Sequence, residues 1–93
     1  MIIAVDFDGT LQINGTANIS LIQRLKQAQR QGNIVILWTC REGKRLAEAL
    51  LFLQRNNFKP NYVNANCPEG IAKLQHDSRK IFADVYIDDK SAK

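Results

Sequence analysis

The sequence predicts a three-layer α/β fold with a small parallel sheet. Short apolar runs of strand length recur along the chain, and segments in which apolar residues fall at helical spacing separate them. Strands that alternate with helices in this way join in parallel through right-handed crossovers. The length of 93 residues fits one core, so we expect a single domain over residues 1–93.

The first half of the chain contains two predicted strands with a helix between them. Residues 2–6 and 34–38 are nearly continuous apolar runs, a pattern typical of strands covered on both faces. Residues 12–17 contain an Asn-Gly pair and predict a turn. Residues 18–31 carry apolar side chains at helical spacing, and Gly32 suits the left-handed position that ends a helix.

The second half repeats this alternation with shorter elements. Residues 42–56 have the helical period, and residues 62–64 predict a brief strand after a proline. Residues 71–77 predict one or two helical turns, and residues 85–87 a last strand. The resulting order, β-α-β-α-β-α-β, is Rossmann-like, and ligands in such sheets bind beyond the carboxyl ends of the strands.

Composition excludes several classes of protein. No apolar stretch approaches the ~20 residues that cross a bilayer, and the first residues lack the pattern of a signal peptide, so we expect a cytoplasmic protein without a membrane partner. Cys40 and Cys67 are too few for a disulfide framework or a zinc site. The net charge of +4 comes from dispersed residues, which supports nucleic-acid binding only weakly.

Polar side chains follow three of the predicted strands. Asp6, Thr39 and Asp88 stand at the end of an apolar run or directly after it, so parallel strands would bring them to one edge of the sheet. Asp6 and Asp8 would project to the same side if the chain stayed extended through Phe7. Two neighbouring carboxylates repel unless a cation lies nearby, and Mg²⁺ is the usual cation where phosphate is the other ligand.

Four signatures follow one another in the sequence: DFDGT at 6–10, an apolar strand ending in Thr39, Lys80, and YIDD at 86–89. Together they resemble the haloacid dehalogenase (HAD) superfamily of phosphohydrolases, most closely small members that share strings such as AVDFDGT, ILW-x-x-REG and ADVYIDD. The resemblance covers nearly the whole chain. It implies a HAD-like fold and a Mg²⁺-dependent phosphatase that acts through an aspartyl-phosphate. Only residues 11–17 separate the first signature from the first helix, which leaves no room for a cap domain.

The resemblance implies a role for each acidic residue. Asp6 would be the nucleophile that attacks phosphorus. Asp8 would protonate the leaving oxygen and then activate the hydrolytic water. Mg²⁺ would be held by the carboxylates of Asp6 and Asp88 and by the backbone carbonyl of Asp8, with Asp89 reached directly or through water.

The same resemblance assigns the residues that face the phosphate. The Thr39 hydroxyl and neighbouring backbone N–H groups would hold phosphoryl oxygens, and Lys80 would neutralise charge, with Lys73 as a competing candidate for that role. Cys40 and Arg41 follow Thr39 directly and are candidate substrate contacts. We expect Cys40 to pack as a small residue beside the site, and Arg41 to lie near a helix N-terminus that favours anions.

Two other functions remain open at this point. Because only four residues follow Asp89, the site could belong to a noncatalytic phosphate- or metal-binding module. A receiver-like phosphoacceptor domain also combines acids, Thr and Lys around Mg²⁺, but its phosphoacceptor Asp follows a later strand, where this chain has Thr39. Without a cap, specificity would come from a bulky substrate such as a phosphorylated macromolecule or a nucleotide, or from a partner subunit, and the oligomeric state stays open.

Overall fold

The computed structural model describes residues 1–65, 67–68 and 81–90. Its elements, in chain order, are β1 (Ile2–Val5), β2 (Gln12–Ile13), β3 (Thr16–Ala17), α1 (Ile19–Arg30), β4 (Ile34–Leu37), α2 (Gly43–Arg55), β5 (Tyr62–Val63) and β6 (Val85–Ile87). Every strand and helix predicted within the described residues is confirmed to within about two residues. The helical turns predicted at residues 71–77 lie outside the described residues.

Four of the described strands form a parallel sheet in the order β5-β4-β1-β6. Val5 pairs with Leu37 of β4 and with Ile87 of β6, so the three central strands end at the same level. The chain first moves outward from β1 to β4 and β5, and then crosses back to β6 on the other side of β1. Strand order therefore reverses between β1 and β6, and in α/β sheets such a switch point is where ligands bind.

Both described helices pack on one face of this sheet. Alternate residues of β1 and β4 point to that face, because successive side chains of a strand point to opposite sides. The buried core there includes Val5, Leu37, Leu21, Ile22, Leu25, Ala49 and Leu53. The common face follows from the right-handed crossover rule, because the chain moves across the sheet in one direction, from β1 to β4 and then to β5, through the two helices.

The other face is covered by residues near the return connection from β5 to β6. Cys67 and Ile81 pack there against Ile2, Ala4 and Ile36. Because β6 lies on the other side of β1 from β5, the same rule predicts the opposite face for this connection, and Cys67 and Ile81 lie on that face. The structure thus establishes an α/β fold with a parallel sheet covered on both faces.

A short hairpin lies between the first loop and α1. The two-residue strands β2 and β3 pair antiparallel, and Asn14 and Gly15 at the tip both have positive φ, at 52° and 77°. Those two angles are what a type I′ hairpin turn requires. The turn predicted at residues 12–17 is confirmed, and the structure adds the pairing of its flanks.

Two expectations from composition can be compared with the described part of the chain. Neither Cys40 nor Cys67 is joined in a disulfide bond. None of the described helices has both the length and the apolar character needed to cross a membrane.

Candidate functional site

The three polar residues predicted to share one edge of the sheet do follow neighbouring strands. Asp6 comes directly after β1, Asp88 directly after β6, and Thr39 two residues beyond β4. The Asp6 amide donates to the Ile87 carbonyl at 2.9 Å, so β1 and β6 stay paired up to the first aspartate. The candidate site therefore lies at the switch point of the sheet.

The chain does not stay extended beyond Asp6. Phe7 lies in a turn, and its carbonyl accepts hydrogen bonds from the amides of Leu11 and Gln12 at 3.0 and 3.1 Å. The Phe7 ring is fully buried in the core, which fixes where the turn begins. The extended geometry assumed for Asp6 and Asp8 is therefore wrong, because burial of Phe7 and the bonds to its carbonyl bend the chain between them.

Gly9 brings the loop after β1 against the residues after β6. Its φ is +76°, a left-handed conformation that glycine adopts without strain. A Cβ atom added at Gly9 would lie 3.2 Å from the Cβ of Asp89, closer than such contacts normally are. The glycine of DFDGT thus permits close approach of the two acidic segments.

Asp6 lies among like charges in a partly buried position. Burial raises the pKa of its carboxyl, and the negative charges of Asp8, Asp89 and Asp88 raise it further. The Phe7 amide donates to Asp6 Oδ1 at 2.8 Å and acts in the opposite direction. The net result is a raised pKa, which means that the ionised form of Asp6 lacks compensating positive charge.

Asp8 has the opposite environment, because Arg41 donates hydrogen bonds to both of its carboxylate oxygens. Arg41 Nη2 donates to Asp8 Oδ1 at 2.8 Å and Nε donates to Oδ2 at 3.0 Å. These hydrogen bonds, and the charge of the guanidinium, hold the pKa of Asp8 below its ordinary value although burial opposes them. In this arrangement Asp8 is ionised, and its carboxylate oxygens are occupied by hydrogen bonds from Arg41.

Arg41 itself is held from several directions. Its guanidinium carbon lies 4.7 Å from the centre of the Phe7 ring, and Nη1 donates to the Arg45 carbonyl at 3.2 Å. Stacking on an aromatic face and hydrogen bonding in a fixed plane are characteristic of arginine rather than lysine. The sequence placed Arg41 at the site, but its contact with Asp8 joins residues 33 positions apart and had no local signal.

Thr39 is buried, and most of its hydrogen-bonding groups already have partners. Its amide donates to Asn64 Oδ1 at 2.8 Å, and its hydroxyl oxygen accepts from the Arg41 amide at 3.1 Å. The Thr39 amide is therefore not available to a phosphoryl oxygen, whereas the proton of its hydroxyl has no acceptor among the described residues. Sequence reasoning missed Asn64. The pattern that could have indicated it is an asparagine directly after a short apolar strand, at the same edge of the sheet as the other polar residues.

Cys40 departs from the expectation that it packs beside the site, because its side chain is exposed. The residue lies in the loop between β4 and α2, and α2 begins three residues later at Gly43. Within the described part of the chain, the Cys40 amide has no acceptor. Its backbone, rather than its thiol, is the group that could contact an anion near the N-terminus of α2.

Thr10 is a second residue that sequence reasoning missed. It is fully buried, and its hydroxyl has no hydrogen-bond partner among the described residues. A buried hydroxyl normally forms a hydrogen bond, so the Thr10 hydroxyl leaves the hydrogen bonding of the DFDGT loop incomplete. Lys80 and its competitor Lys73 lie outside the described residues, and the lysine assignment stays a prediction.

The acidic residues match the chemistry of a hard cation without forming a complete metal site. Among residues 1–65, 67–68 and 81–90, no three His, Cys, Asp or Glu side chains are arranged to hold a metal ion. The Asp8 carboxylate is turned to Arg41, and Asp88 Oδ1 accepts the Lys90 amide at 3.0 Å. Carboxylate and backbone oxygens are nevertheless what Mg²⁺ prefers, and this ion usually keeps several waters in place of protein ligands.

Comparison with known proteins gives one informative match. No family model matches the sequence, and no curated protein does. Among solved structures, a conserved protein coded by a locus of Bacteroides thetaiotaomicron matches with a TM-score of 0.82 and 36% sequence identity. The match covers 97% of this chain and 76% of that protein's chain. The chain therefore belongs to the same protein family as this conserved Bacteroides thetaiotaomicron protein.

Proposed function

We propose that the protein is a Mg²⁺-dependent phosphatase with a HAD-like, Rossmann-like fold and no cap domain, which hydrolyses phosphomonoesters through an aspartyl-phosphate on Asp6. The observation that supports this most is that Asp6, Thr39 and Asp88 follow neighbouring strands at the switch point of the sheet. A carboxylate surrounded by like charges at such an edge is suited to bind a cation, and the bound cation would allow an anionic phosphate to approach. The order of the DFDGT, Thr39 and YIDD signatures, which resembles the HAD superfamily, supports the same function.

In the first step, an oxygen of Asp6 attacks phosphorus. The new O–P bond forms as the bond to the leaving oxygen breaks, and Asp8 gives that oxygen a proton. In the second step, water attacks the phosphorus of the aspartyl-phosphate while Asp8 takes its proton. The O–P bond to Asp6 then breaks, which releases phosphate and restores both carboxyl groups.

Arg41 must leave Asp8 for the first step to proceed. An Asp8 whose two carboxylate oxygens both accept hydrogen bonds from Arg41 is ionised and has no proton to give. A phosphate group is a stronger partner for a guanidinium than one carboxylate, because it carries more charge and matches the same two donors. We propose that substrate phosphate draws Arg41 away, and that loss of the guanidinium together with the negative charge of the phosphate raises the pKa of Asp8 above its ordinary value, so that Asp8 can carry the proton.

The groups beyond β4 would hold the phosphoryl oxygens. These are the Arg41 guanidinium, the Thr39 hydroxyl and the Cys40 amide, and Lys80 is proposed to join them. On the other side, Asp6, Asp88, Asp89 and the Asp8 carbonyl would hold Mg²⁺. The ion would supply positive charge to the phosphoryl oxygens and to the crowded carboxylates.

The strand order argues against the receiver-like alternative. Receiver domains share the flavodoxin-like order 2-1-3-4-5, in which the first strand lies between the second and the third. Here the second parallel strand, β4, lies between the first and the third. The noncatalytic binding module keeps one observation in its favour, namely that Arg41 holds Asp8 in a form that cannot act as an acid.

Release of phosphate from an aryl phosphate, measured with Mg²⁺ and with EDTA, tests the proposal. We expect turnover that requires Mg²⁺ and is inhibited by excess Ca²⁺, whose larger and looser shell fits an in-line displacement poorly. A single labelling event per chain without turnover would favour a receiver, and neither labelling nor turnover would favour the binding module. Full activity in EDTA would contradict the role of the metal.

A further inference from the structure

Two exposed aromatic side chains meet beside the candidate site. Trp38 is 47% exposed and Tyr86 is 45% exposed. Their rings contact edge to face, with centroids 6.2 Å apart and planes at 74°. An edge-to-face pair forms a corner, in which a planar group can stack on one ring while it touches the other. Large aromatic residues exposed together on a surface often mark a binding site.

The strand register places this pair next to Asp6. The Trp38 amide donates to the Val5 carbonyl at 2.8 Å, which puts Trp38 level with Asp6 on the neighbouring strand. Tyr86 pairs with Ala4 on the other side of β1. The Ala4 side chain is small and lies on the same face of the sheet as the Trp38 and Tyr86 rings, so the two rings can meet across β1.

Tyr86 is fixed in position by its hydroxyl. The hydroxyl donates to the Ile81 carbonyl at 2.6 Å and accepts from the Ala83 amide at 3.1 Å. These bonds satisfy the polar end of the side chain and leave the ring facing outward. A ring that is already held in place loses little conformational freedom when a ligand binds to it.

We infer that Trp38 and Tyr86 bind the base of a phosphorylated nucleoside whose phosphate lies at Asp6. The inference rests on the proposed function for the phosphate end and on the ring pair for the base end. Asp6 and Trp38 lie level on adjacent strands, whose backbones are about 4.8 Å apart, so a single nucleotide can reach both side chains. Bases stack on aromatic side chains through their faces, whereas sugar phosphates have no such face. The net charge of +4 favours the same anionic ligand.

Fluorescence of Trp38 tests the base end directly, because the sequence contains one tryptophan. Asp6→Asn protein is titrated with adenosine 5′-monophosphate, adenosine and ribose 5-phosphate, with free N-acetyltryptophanamide as the control for light absorption. We expect saturable quenching by adenosine 5′-monophosphate, at a half-saturating concentration at least about tenfold below that of adenosine, and no change with ribose 5-phosphate. Absence of saturable quenching by the nucleotide would overturn the inference.

Kinetics separate recognition of the base from the phosphatase chemistry. We expect Trp38→Leu to lower kcat/KM for adenosine 5′-monophosphate by about tenfold or more and to leave ribose 5-phosphate hydrolysis within about twofold. Leu51→Ala, at a position 45% exposed on α2, is the matched control and should change neither. An equal loss on both substrates would show that Trp38 acts structurally and would overturn the inference.

The two failures are distinguishable. Quenching without hydrolysis of either substrate supports the base site and contradicts the proposed phosphatase. Hydrolysis of both substrates at equal rates, without quenching, supports the phosphatase and overturns the base site. A Trp38 emission spectrum that shifts with protein concentration in the absence of nucleotide would show that a second copy covers the pair, which also overturns it.

Discussion

The two sides of the β1 terminus differ in how their polar groups are compensated. On the β4 side, the amides of Thr39 and Arg41 and the guanidinium of Arg41 all have hydrogen-bond partners. On the β6 side, Asp88 and Asp89 raise the pKa of Asp6, and Gly9 permits the two acidic segments to lie close together. The β6 side therefore lacks positive charge, whereas the β4 side holds the guanidinium of Arg41. A phosphate accompanied by Mg²⁺ would satisfy both.

The same contrast separates the two aspartates of DFDGT. Asp6 has a raised pKa because it is partly buried among acids, and Asp8 has a lowered pKa because Arg41 binds it. In many active sites, the environment shifts the pKa values of two carboxyl groups in opposite directions, and the two groups then have different roles in the reaction. In the protein without ligand these directions are the reverse of what an ionised nucleophile and a protonated acid require, so the proposed roles depend on Mg²⁺ beside Asp6 and on a phosphate that draws Arg41 from Asp8.

Replacement of Asp6 gives the largest expected effect. Asp6→Asn removes the nucleophile, and we expect phosphate release to fall by about a thousandfold or more. The fold should survive, because asparagine keeps an oxygen that can accept the Phe7 amide. Asp84→Asn is the matched control, since the Asp84 carboxylate accepts the Ile2 amide at the opposite end of the sheet. Circular dichroism and phosphate release on the same samples decide the outcome, and normal turnover of Asp6→Asn would remove Asp6 from its role.

Loss of Arg41 should have the next largest effect. Arg41→Met removes the phosphate contact and the partner of Asp8, so we expect KM to rise by about tenfold or more and the pKa of Asp8 to rise toward its ordinary value. Steady-state kinetics and an NMR titration of Asp8 measure the two changes. Arg24→Met, at an exposed position of α1, serves as the control. An unchanged KM would show that Arg41 serves Asp8 alone.

Two glycine substitutions isolate the contact between the acidic segments. Gly15→Ala places alanine at φ +77° with open space around its Cβ, and should cost roughly 1 kcal/mol of unfolding free energy. Gly9→Ala has nearly the same φ but meets Asp89, so we expect an additional cost of about 0.5 to 1 kcal/mol. Chemical denaturation measures both. Equal costs would mean that the two acidic loops do not restrain each other.

The smallest expected effect is a difference in how stability depends on pH. Asp8 has a lowered pKa, so the stability lost in Asp8→Asn is present above the ordinary value of 3.8 and disappears as pH falls through the lowered pKa. Asp6 has a raised pKa, so the stability gained in Asp6→Asn is absent well below 3.8 and grows as pH rises toward the raised value. Both should amount to a few tenths of a kcal/mol, because both carboxyls are partly exposed. Parallel pH dependences in denaturation experiments would contradict the assigned environments.

Much of the fold was predictable because the signals were local. The apolar runs of β1 and β4 and the helical spacing of α1 and α2 depend only on neighbouring residues, and all four elements form where predicted. Parallel order then placed Asp6, Thr39 and Asp88 at one edge without further information.

The contacts within the site were less predictable, because they join distant parts of the chain. The pair of Asp8 and Arg41, and the bond from Thr39 to Asn64, depend on how loops from different strands meet. The bend at Phe7 arises from burial of its ring, which overrides an extended continuation of β1. No local pattern indicated that Cys40 would be exposed.

The proposed function requires that Asp6 becomes covalently phosphorylated during turnover. Protein mixed with an aryl phosphate and Mg²⁺ is quenched in acid within the first turnover, digested, and its phosphorylated peptide identified by mass spectrometry. We predict an acyl phosphate, cleaved by hydroxylamine, on Asp6 in the peptide that contains DFDGT, and its absence from Asp6→Asn protein. Turnover without any phosphorylated Asp6, or a phosphate carried by another residue such as Cys40, would contradict the account.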